Sequence, residues 1–288
     1  MHPADIVEIT TPQKYLLNGL WFGPTKPKRA IIWIHGLTSS AFSKLSIVEK
    51  LVDVDTAVLT FNNRGHDAVT RVSKRLANGE SKSLMAGSAH EIFKDCVDDI
   101  QGAIDFAKQR GAKEIYLAGH STGCQKSVYY AASKKCDPRV KGVILLAPVS
   151  DYSSTLKMFG LAKLNRAVKE ARRLVKAGKP QELLSQKIWS DGIWSAQRFI
   201  SLYTPDSAEE VFPYAQKEKV PTTLKKVRVP ILVFWADADE YADMPTKSVV
   251  DWFSKHTRAL DVHAVSDADH GFKGQEEQVA GIIKKWLT

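Results

Sequence analysis

The sequence predicts an α/β fold in which a mostly parallel central sheet is flanked by helices. Short apolar runs rich in β-branched residues alternate with stretches of helical periodicity, as is typical of parallel sheets covered on both faces. The inner runs, such as residues 30–34 and 56–61, are almost continuously apolar, which indicates strands buried on both faces. At 288 residues, the chain can form one large domain with a small insertion.

The predicted elements follow one another along the whole chain. The predicted strands are residues 5–10, 15–22, 30–34, 56–61, 114–118, 140–146, 230–235 and 259–265. The predicted helices are residues 41–51, 88–110, 124–134, 246–256 and 275–287. The first two strands are separated by Thr11 and Pro12, which favours an antiparallel pair. Right-handed crossovers between the later strands place their carboxyl ends along one edge of the sheet, where sites in such folds form.

One long segment interrupts this alternation. Residues 151–224 contain no convincing buried strand, whereas apolar residues recur at helical spacing at Leu164, Ala167/Val168, Ala171 and Leu174/Val175. The segment also carries aromatic residues, namely Trp189, Trp194, Phe199, Tyr203, Phe212 and Tyr214. We predict a core of residues 1–150 and 225–288 with a helical cap insertion at 151–224. Helices packed on the edge of the sheet are the alternative.

Residues 119–123 read GHSTG, a G-x-S-x-G pattern between an apolar strand and a helix-compatible stretch. In this setting the pattern indicates a nucleophile elbow. The sharp turn strains the backbone of the serine and leaves room only for small residues two positions before and after it. Gly119 and Gly123 meet that requirement, so Ser121 is the predicted nucleophile.

A histidine and a carboxylate follow the last two predicted strands. His270 lies between the last strand and the last helix, on a loop that can reach Ser121. Asp237 and Asp239 follow the strand at 230–235. A carboxylate there would hold the imidazole tautomer and stabilise the imidazolium. Asp239 is the preferred candidate because a residue further from the strand end can turn over the edge, and Asp237 is the alternative.

An oxyanion hole needs two backbone N–H groups aimed at one point. Thr122 supplies one, because it follows the nucleophile at the start of a helix whose dipole also helps. The other is expected from Leu37, which follows a short apolar strand and the His35-Gly36 pair.

Together these residues resemble the α/β-hydrolase superfamily, over essentially the whole chain outside the insertion. The motifs are His35-Gly36, residues 63–66 (NRGH), residues 119–123, Asp239, and residues 269–272 (DHGF). The chain order Ser, Asp, His is also that of the superfamily. One departure is Ala236, where the superfamily commonly has glycine. The chain looks most similar to serine esterases with a short cap, of the cinnamoyl- or feruloyl-esterase-like and acylglycerol-lipase-like groups. The elbow alone is also similar to a fungal siderophore-esterase-like group.

The resemblance implies a cofactor-free hydrolase of carboxylic esters that forms an acyl-enzyme on Ser121. A thioesterase, an amidase or peptidase, or a lyase on the same scaffold is the alternative within enzymes. A non-catalytic ligand-binding homologue is the alternative outside them, although the intact Ser121, Asp239 and His270 argue against it. The expected substrate-binding residues, which would form an apolar wall above Ser121 for an aromatic or medium acyl chain, are Trp189, Trp194, Phe199 and Tyr203.

The distribution of charge indicates which kinds of partner the protein can bind. The formal net charge is +9, and residues 155–180 hold eight basic residues against the single acid Glu170. The simplest interpretation is that these basic residues form the solvated face of a helix, although they could add affinity for an acidic substrate or a lipid surface. Nucleic-acid binding is therefore not expected, and no nucleotide-binding motif occurs. A small-molecule ester is the expected partner.

Three cysteines without C-x-x-C spacing suggest neither a disulfide framework nor a zinc site. The first ten residues lack the apolar region of a signal peptide, and no run of eighteen apolar residues occurs. We therefore expect a cytoplasmic enzyme with no metal, no cofactor and no transmembrane segment.

Overall fold

The computed structural model describes residues 3–287, and ten strands in this range form one sheet. The strands are β1 (Ala4–Thr10), β2 (Tyr15–Phe22), β3 (Arg29–Ile34), β4 (Thr56–Phe61), β5 (Thr70–Arg75), β6 (Ser81–Ala86), β7 (Glu114–His120), β8 (Val140–Leu146), β9 (Ile231–Ala236) and β10 (Leu260–Val265). The helices are α1 (Leu45–Leu51), α2 (Cys96–Gln109), α3 (Thr122–Ala131), α4 (Asp151–Phe159), α5 (Leu161–Lys176), α6 (Ala196–Tyr203), α7 (Thr246–His256) and α8 (Glu276–Trp286). Of these helices, none is long and apolar enough to cross a membrane.

The sheet is parallel through its centre and antiparallel at one end. Its order is β10-β9-β8-β7-β3-β4-β2-β5-β6, with β1 on β2. Neighbours from β10 to β4 pair in parallel, whereas β2 pairs antiparallel with β1, β4 and β5. The predicted fold class and the predicted antiparallel opening pair are therefore confirmed.

Successive residues of the central strands face opposite sides of the sheet, so both faces are apolar. On β3, Ile32 packs into a cluster with the buried side of α2, and the adjacent Ile31 packs into a cluster with α1 and α8. All residues of β4 and of β9 are buried. This two-sided burial explains why the central strands read as continuous apolar runs.

Two parts of the fold differ from the sequence prediction. The hairpin β5–β6 was not predicted, because its strands are mainly polar and exposed. The helix predicted at 88–110 begins only at Cys96. The N–H groups of Gly87, Ser88 and Ala89 instead donate to carbonyls of residues 64–68, at 2.8 to 2.9 Å. These tertiary hydrogen bonds hold the chain before α2 as a loop.

We call α4 to α6, residues 151–203, the helical segment. Of the apolar positions predicted on α5, Leu164, Ala167, Ala171 and Leu174 are buried, whereas Val168 is half-buried and Val175 is exposed. The four buried residues pack in a cluster with Trp189 and Phe199, whose ring centroids lie 5.0 Å apart. Phe212 and Tyr214, further along the chain, pack instead with the residues of the sheet and α7. The helical segment thus has an apolar cluster of its own that ends at Tyr203.

Candidate active site

Ser121 lies in a strained turn between β7 and α3. Its φ of 54° and ψ of −127° are rarely adopted by residues with a side chain. A Cβ on Gly119 would lie 2.3 Å from the carbonyl oxygen of Gly123, and one on Gly123 would lie 2.1 Å from that of Ile34. Both distances exclude any side chain. The local sequence therefore forces the tight elbow, and the elbow presents Ser121 at the carboxyl edge of the sheet.

Asp239 and His270 are in direct contact at the same edge. Asp239 Oδ2 lies 2.7 Å from His270 Nδ1, and the two side chains are only 1% and 13% exposed. Asp239 Oδ1 also accepts the N–H of Tyr241 at 2.8 Å, which fixes the carboxylate. With Nδ1–H donated to Asp239, Nε2 of His270 carries the lone pair and can accept a proton.

Asp237, the alternative carboxylate, has another role in the structure. Its Oδ1 accepts the N–H of Asp267 at 2.7 Å, so it holds the turn that follows β10. The side chain of Asp237 lies in an exposed position. Of the two candidates, the structure therefore brings only Asp239 to the imidazole of His270.

The loop that carries His270 is held through its backbone. His120 Nε2 lies 2.8 Å from the carbonyl oxygen of His270. Burial, followed by the charge of His270, lowers the pKa of His120 to about 3, so His120 is neutral and donates from Nε2. Lys44 Nζ donates to the carbonyl of Gly271 at 3.0 Å. These contacts position the imidazole independently of its own side-chain hydrogen bond.

Ser121 and His270 both line one cavity of about 830 Å³. Within residues 3–287, no hydrogen bond joins Ser121 Oγ to the imidazole of His270. Hydrogen bonds between nucleophile and base are often long in ligand-free enzymes and shorten in the substrate complex. The two groups thus line the same cavity, but they are not in the contact that proton transfer requires.

The backbone N–H groups of Leu37 and Thr122 are both unengaged. Across the described part of the chain, neither donates a hydrogen bond. A Cβ on Gly36 would lie only 3.0 Å from Cβ of Ser121, so the loop that carries Leu37 passes directly beside the elbow. Both N–H groups are therefore free to donate, and the loop that carries Leu37 lies beside the elbow whose helix begins at Thr122.

The four predicted substrate-binding aromatics separate into two pairs. Trp194 and Tyr203 line the cavity together with Ser121. Trp189 and Phe199 do not line it. All four aromatics are buried in one cluster of the helical segment, and only Trp194 and Tyr203 lie at the side of that cluster that meets the cavity. The prediction of a four-residue apolar wall is therefore corrected to two of its members. Met158 and Phe159, at the end of α4, complete the apolar side of the cavity.

Asp151, which the sequence pattern did not single out, also lines the cavity. Its Oδ2 accepts from Gln125 Nε2 at 2.8 Å. Burial, reinforced by the charge of Glu209, raises the pKa of the Asp151 carboxyl well above its usual value. Asp151 follows β8 at the carboxyl edge, and the position-based reasoning that selected Asp239 could have found it.

A buried ionic network also escaped the sequence analysis. Lys126 Nζ of α3 lies 2.5 Å from Glu91 Oε1, and Arg198 Nη2 of α6 lies 3.0 Å from Glu91 Oε2. Arg198 Nη1 is paired with Glu209 as well. All four side chains are at most 5% exposed. The network links the helical segment to the helix that begins at the nucleophile, and its opposite charges balance.

A metal site is not among the features of this region. From residue 3 to residue 287, no three or more His, Cys, Asp or Glu side chains are grouped so that they could hold a metal ion. The polar groups of the cavity are instead suited to proton transfer and to hydrogen bonding of a carbonyl group.

Known structures share this fold at low sequence identity. The siderophore hydrolase EstB from Aspergillus fumigatus superimposes with a TM-score of 0.69 at 16% identity, covering 100% of this chain and 96% of EstB. Est1E from Butyrivibrio proteoclasticus, solved with ferulic acid, gives 0.63 at 21%, covering 98% and 97%. The esterase Pf2001 from Pyrococcus furiosus gives 0.60 at 14%, covering 100% and 92%. These similarities establish the α/β-hydrolase fold.

Sequence comparison adds a family. No curated protein sequence matches the chain. A family model described as "Protein of unknown function (DUF1749)" matches residues 61–287, which include all three residues of the predicted triad. The chain therefore belongs to the DUF1749 family.

Proposed function

We propose that this protein is a serine hydrolase that cleaves carboxylic esters. The observation that carries the proposal is the 2.7 Å contact between Asp239 and His270, in the cavity that also contains the strained Ser121. A serine in an elbow, a histidine with a free Nε2 and a buried carboxylate on Nδ1 are the parts of a catalytic triad. The structural neighbours that are named as hydrolases or esterases support the same reaction class.

In the first half of the proposed reaction, Ser121 Oγ bonds to the ester carbonyl carbon while its proton passes to His270 Nε2. The carbonyl oxygen becomes an oxyanion and accepts the N–H groups of Leu37 and Thr122. Asp239 stabilises the resulting imidazolium through Nδ1. The tetrahedral intermediate collapses, and the alcohol leaves with the proton from His270.

Water completes the cycle. His270 Nε2 accepts a proton from water as the water oxygen bonds to the acyl carbon. The second tetrahedral intermediate expels Ser121 Oγ, which recovers its proton from His270. The products are a carboxylic acid and an alcohol, and the enzyme is unchanged.

We propose further that the helical segment acts as a cap over the substrate. Trp194, Tyr203, Met158 and Phe159 give the cavity an apolar side that suits an aromatic or medium-length acyl group. One structural neighbour, Est1E, was solved with ferulic acid bound, and an aromatic acyl group is compatible with this wall. A small-molecule ester is thus the proposed partner.

The direct test measures hydrolysis of p-nitrophenyl, cinnamoyl and monoacylglycerol esters, together with matching thioester and amide substrates. We expect the wild type to cleave esters and Ser121→Ala to lose that activity. Ser254→Ala, at an exposed position of α7, is the control and should match the wild type. A fluorophosphonate probe should label the wild type at Ser121 only. Equal labelling of Ser121→Ala would show that Ser121 is not the nucleophile. Faster cleavage of the thioester or amide substrate than of the ester would show that the protein is a thioesterase or an amidase instead.

A cytoplasmic location is part of the proposal. Cys96, Cys124 and Cys136 are free thiols, which is common in reducing compartments. Fractionation of cells that express a tagged chain should recover it with cytoplasmic markers, and recovery with secreted or membrane fractions would contradict this location.

A further inference from the structure

A second cavity, of about 720 Å³, lies at the opposite edge of the sheet from Ser121. It is lined from residues 131–136, 225–229 and 258, which precede β8, β9 and β10 respectively. Because these strands are parallel, the segments meet at the amino edge, whereas Ser121, Asp239 and His270 follow carboxyl ends. The volume falls within the roughly 300 to 1,000 Å³ of small-molecule sites. We call it the basic cavity.

The charge of the basic cavity has one sign. Half of its ten lining residues are cationic, namely Lys134, Lys225, Lys226, Arg228 and Arg258, and none is acidic. Over the described residues 3–287, none of the five cations forms an ion pair. The nearby Arg139, by contrast, is paired with Asp137 at 2.8 Å. The adjoining surface carries more positive charge, since Lys255 lines a smaller neighbouring cavity.

Five unpaired cations around a concave surface produce a positive potential larger than that of scattered surface lysines. Each exposed cation binds a single anionic group only weakly, because water and salt screen the interaction. A ligand with several anionic groups can engage several cations at once. Arginine also binds phosphate through two parallel N–H donors, and Arg228 and Arg258 place two guanidinium groups at the cavity.

We propose that the basic cavity is a binding site for a small polyanion that carries two or more phosphate groups. The limited volume and concave shape favour a small ligand over a nucleic acid, which would need an extended basic surface. They also favour it over a flat membrane surface. The site is remote from Ser121 and does not depend on the proposed ester hydrolysis.

The test is isothermal titration calorimetry with inorganic tripolyphosphate and, separately, inorganic phosphate. We expect tripolyphosphate to bind the wild type at least about tenfold more tightly than phosphate, with an affinity that falls as salt rises. The cavity variant combines Lys225→Gln, Arg228→Gln and Arg258→Gln. It should bind tripolyphosphate at least about tenfold more weakly than the wild type.

The matched control combines Lys169→Gln, Arg172→Gln and Lys176→Gln on α5. It removes the same amount of charge from another exposed basic surface and should retain wild-type affinity. Equal losses in the two triple variants, or no tripolyphosphate binding by the wild type, would overturn the proposal. If the triple cavity variant does not fold, Arg258→Gln alone must still weaken binding.

A lipid source of the phosphate groups is tested with phosphatidylcholine vesicles that contain phosphatidic acid. Vesicle binding that depends on the basic cavity, without binding of free tripolyphosphate, would identify a membrane surface instead of a small ligand and would contradict the proposal. Binding of tripolyphosphate without vesicle binding is the expected result.

Discussion

Near the carboxyl edge of the sheet, one ionic network and the Asp239–His270 pair hold buried, paired groups, whereas at the amino edge the five cations of the basic cavity are exposed and unpaired. Glu91 contacts both Lys126 and Arg198, and Asp239 contacts His270. The basic cavity has five cations and no carboxylate among its lining residues. Removing a charge from water is costly unless a partner compensates, so the buried edge must pair its charges and the exposed edge need not. The buried network and the Asp239–His270 pair therefore need their partners for stability, whereas the exposed cations of the basic cavity are free to engage a ligand.

The largest expected effect concerns the pairing at the catalytic edge. Asp239→Asn should lower kcat for ester hydrolysis by roughly 10⁴, because an amide can stabilise the wrong tautomer of His270. Steady-state kinetics on a p-nitrophenyl ester would measure it. Asp237→Asn is the matched control and should have a much smaller effect, since Asp237 bonds to the backbone of Asp267. The reverse ranking would transfer the role to Asp237.

The next effect compares the two edges directly. Arg198→Met should lower the free energy of unfolding by about 3 to 5 kcal/mol, because it leaves Glu91 and Glu209 buried without this partner. Arg258→Met, at the exposed edge, should change it by no more than about 0.5 kcal/mol. Equilibrium denaturation of both variants would measure the difference. Similar losses would show that pairing and burial do not distinguish the two edges.

A third prediction separates the two pairs of aromatics. Trp189→Ala should lower the free energy of unfolding by about 3 to 5 kcal/mol, because it empties the cluster of the helical segment. Trp194→Ala should raise KM for a cinnamoyl ester about tenfold and change acetyl-ester kinetics less, because only the larger substrate reaches the wall. Denaturation and steady-state kinetics on both variants test this. If Trp194→Ala affected both esters equally, Trp194 would not be a contact of the acyl group.

A fourth prediction is a pH dependence of stability that arises from Glu210, a buried carboxyl that accepts from Ser150 Oγ at 2.7 Å and Gln216 Nε2 at 2.8 Å. Burial raises the pKa of Glu210 from 4.5 to about 7. Between these values the folded chain keeps a proton that the unfolded chain has released. The stabilisation of the folded state by protonated Glu210 is therefore fully present below pH 4.5. It decreases as the pH rises from 4.5 to about 7, by at most about 1.4 kcal/mol per pH unit.

Glu210→Gln should remove this part of the decline, and Glu218→Gln, at an exposed position, should leave it unchanged. Denaturant unfolding across this pH range would compare the three proteins. Identical pH slopes for wild type and Glu210→Gln would show that Glu210 ionises alike in both states.

Local sequence was sufficient to predict which loops carry Ser121, Asp239 and His270 and that these loops lie at one edge of the sheet. Gly119 and Gly123 mark a turn that admits no side chain, and parallel strands bring the loops that follow them to one edge. That rule placed Asp239 and His270 near Ser121 without any knowledge of packing. The hairpin β5–β6 was missed because its strands lack an apolar face, although Asn78-Gly79 lies in the connection and is a recognised turn signal.

The helical segment shows where local pattern is insufficient. Helical spacing predicted the four buried positions of α5, but it also pointed to Val168 and Val175, which are not buried. It could not predict that Trp189 and Phe199 would pack against each other while Trp194 and Tyr203 face the cavity. Periodicity identifies the apolar face of a helix, but which residues cover that face depends on the neighbouring elements of the fold.

The alternation of strands and helices, the elbow and the chain order of the candidate triad could be read from the amino-acid sequence, because each depends on neighbouring residues and on the direction of parallel strands. The network of Lys126, Glu91 and Arg198 and the grouping of cations in the basic cavity became visible only in the folded chain. Their members lie far apart in the chain, and each lysine or arginine alone reads as a solvated surface residue. The strength of an interaction between two charges depends on their distance and on their burial. Both are fixed only when the chain folds and the loops of the sheet come together.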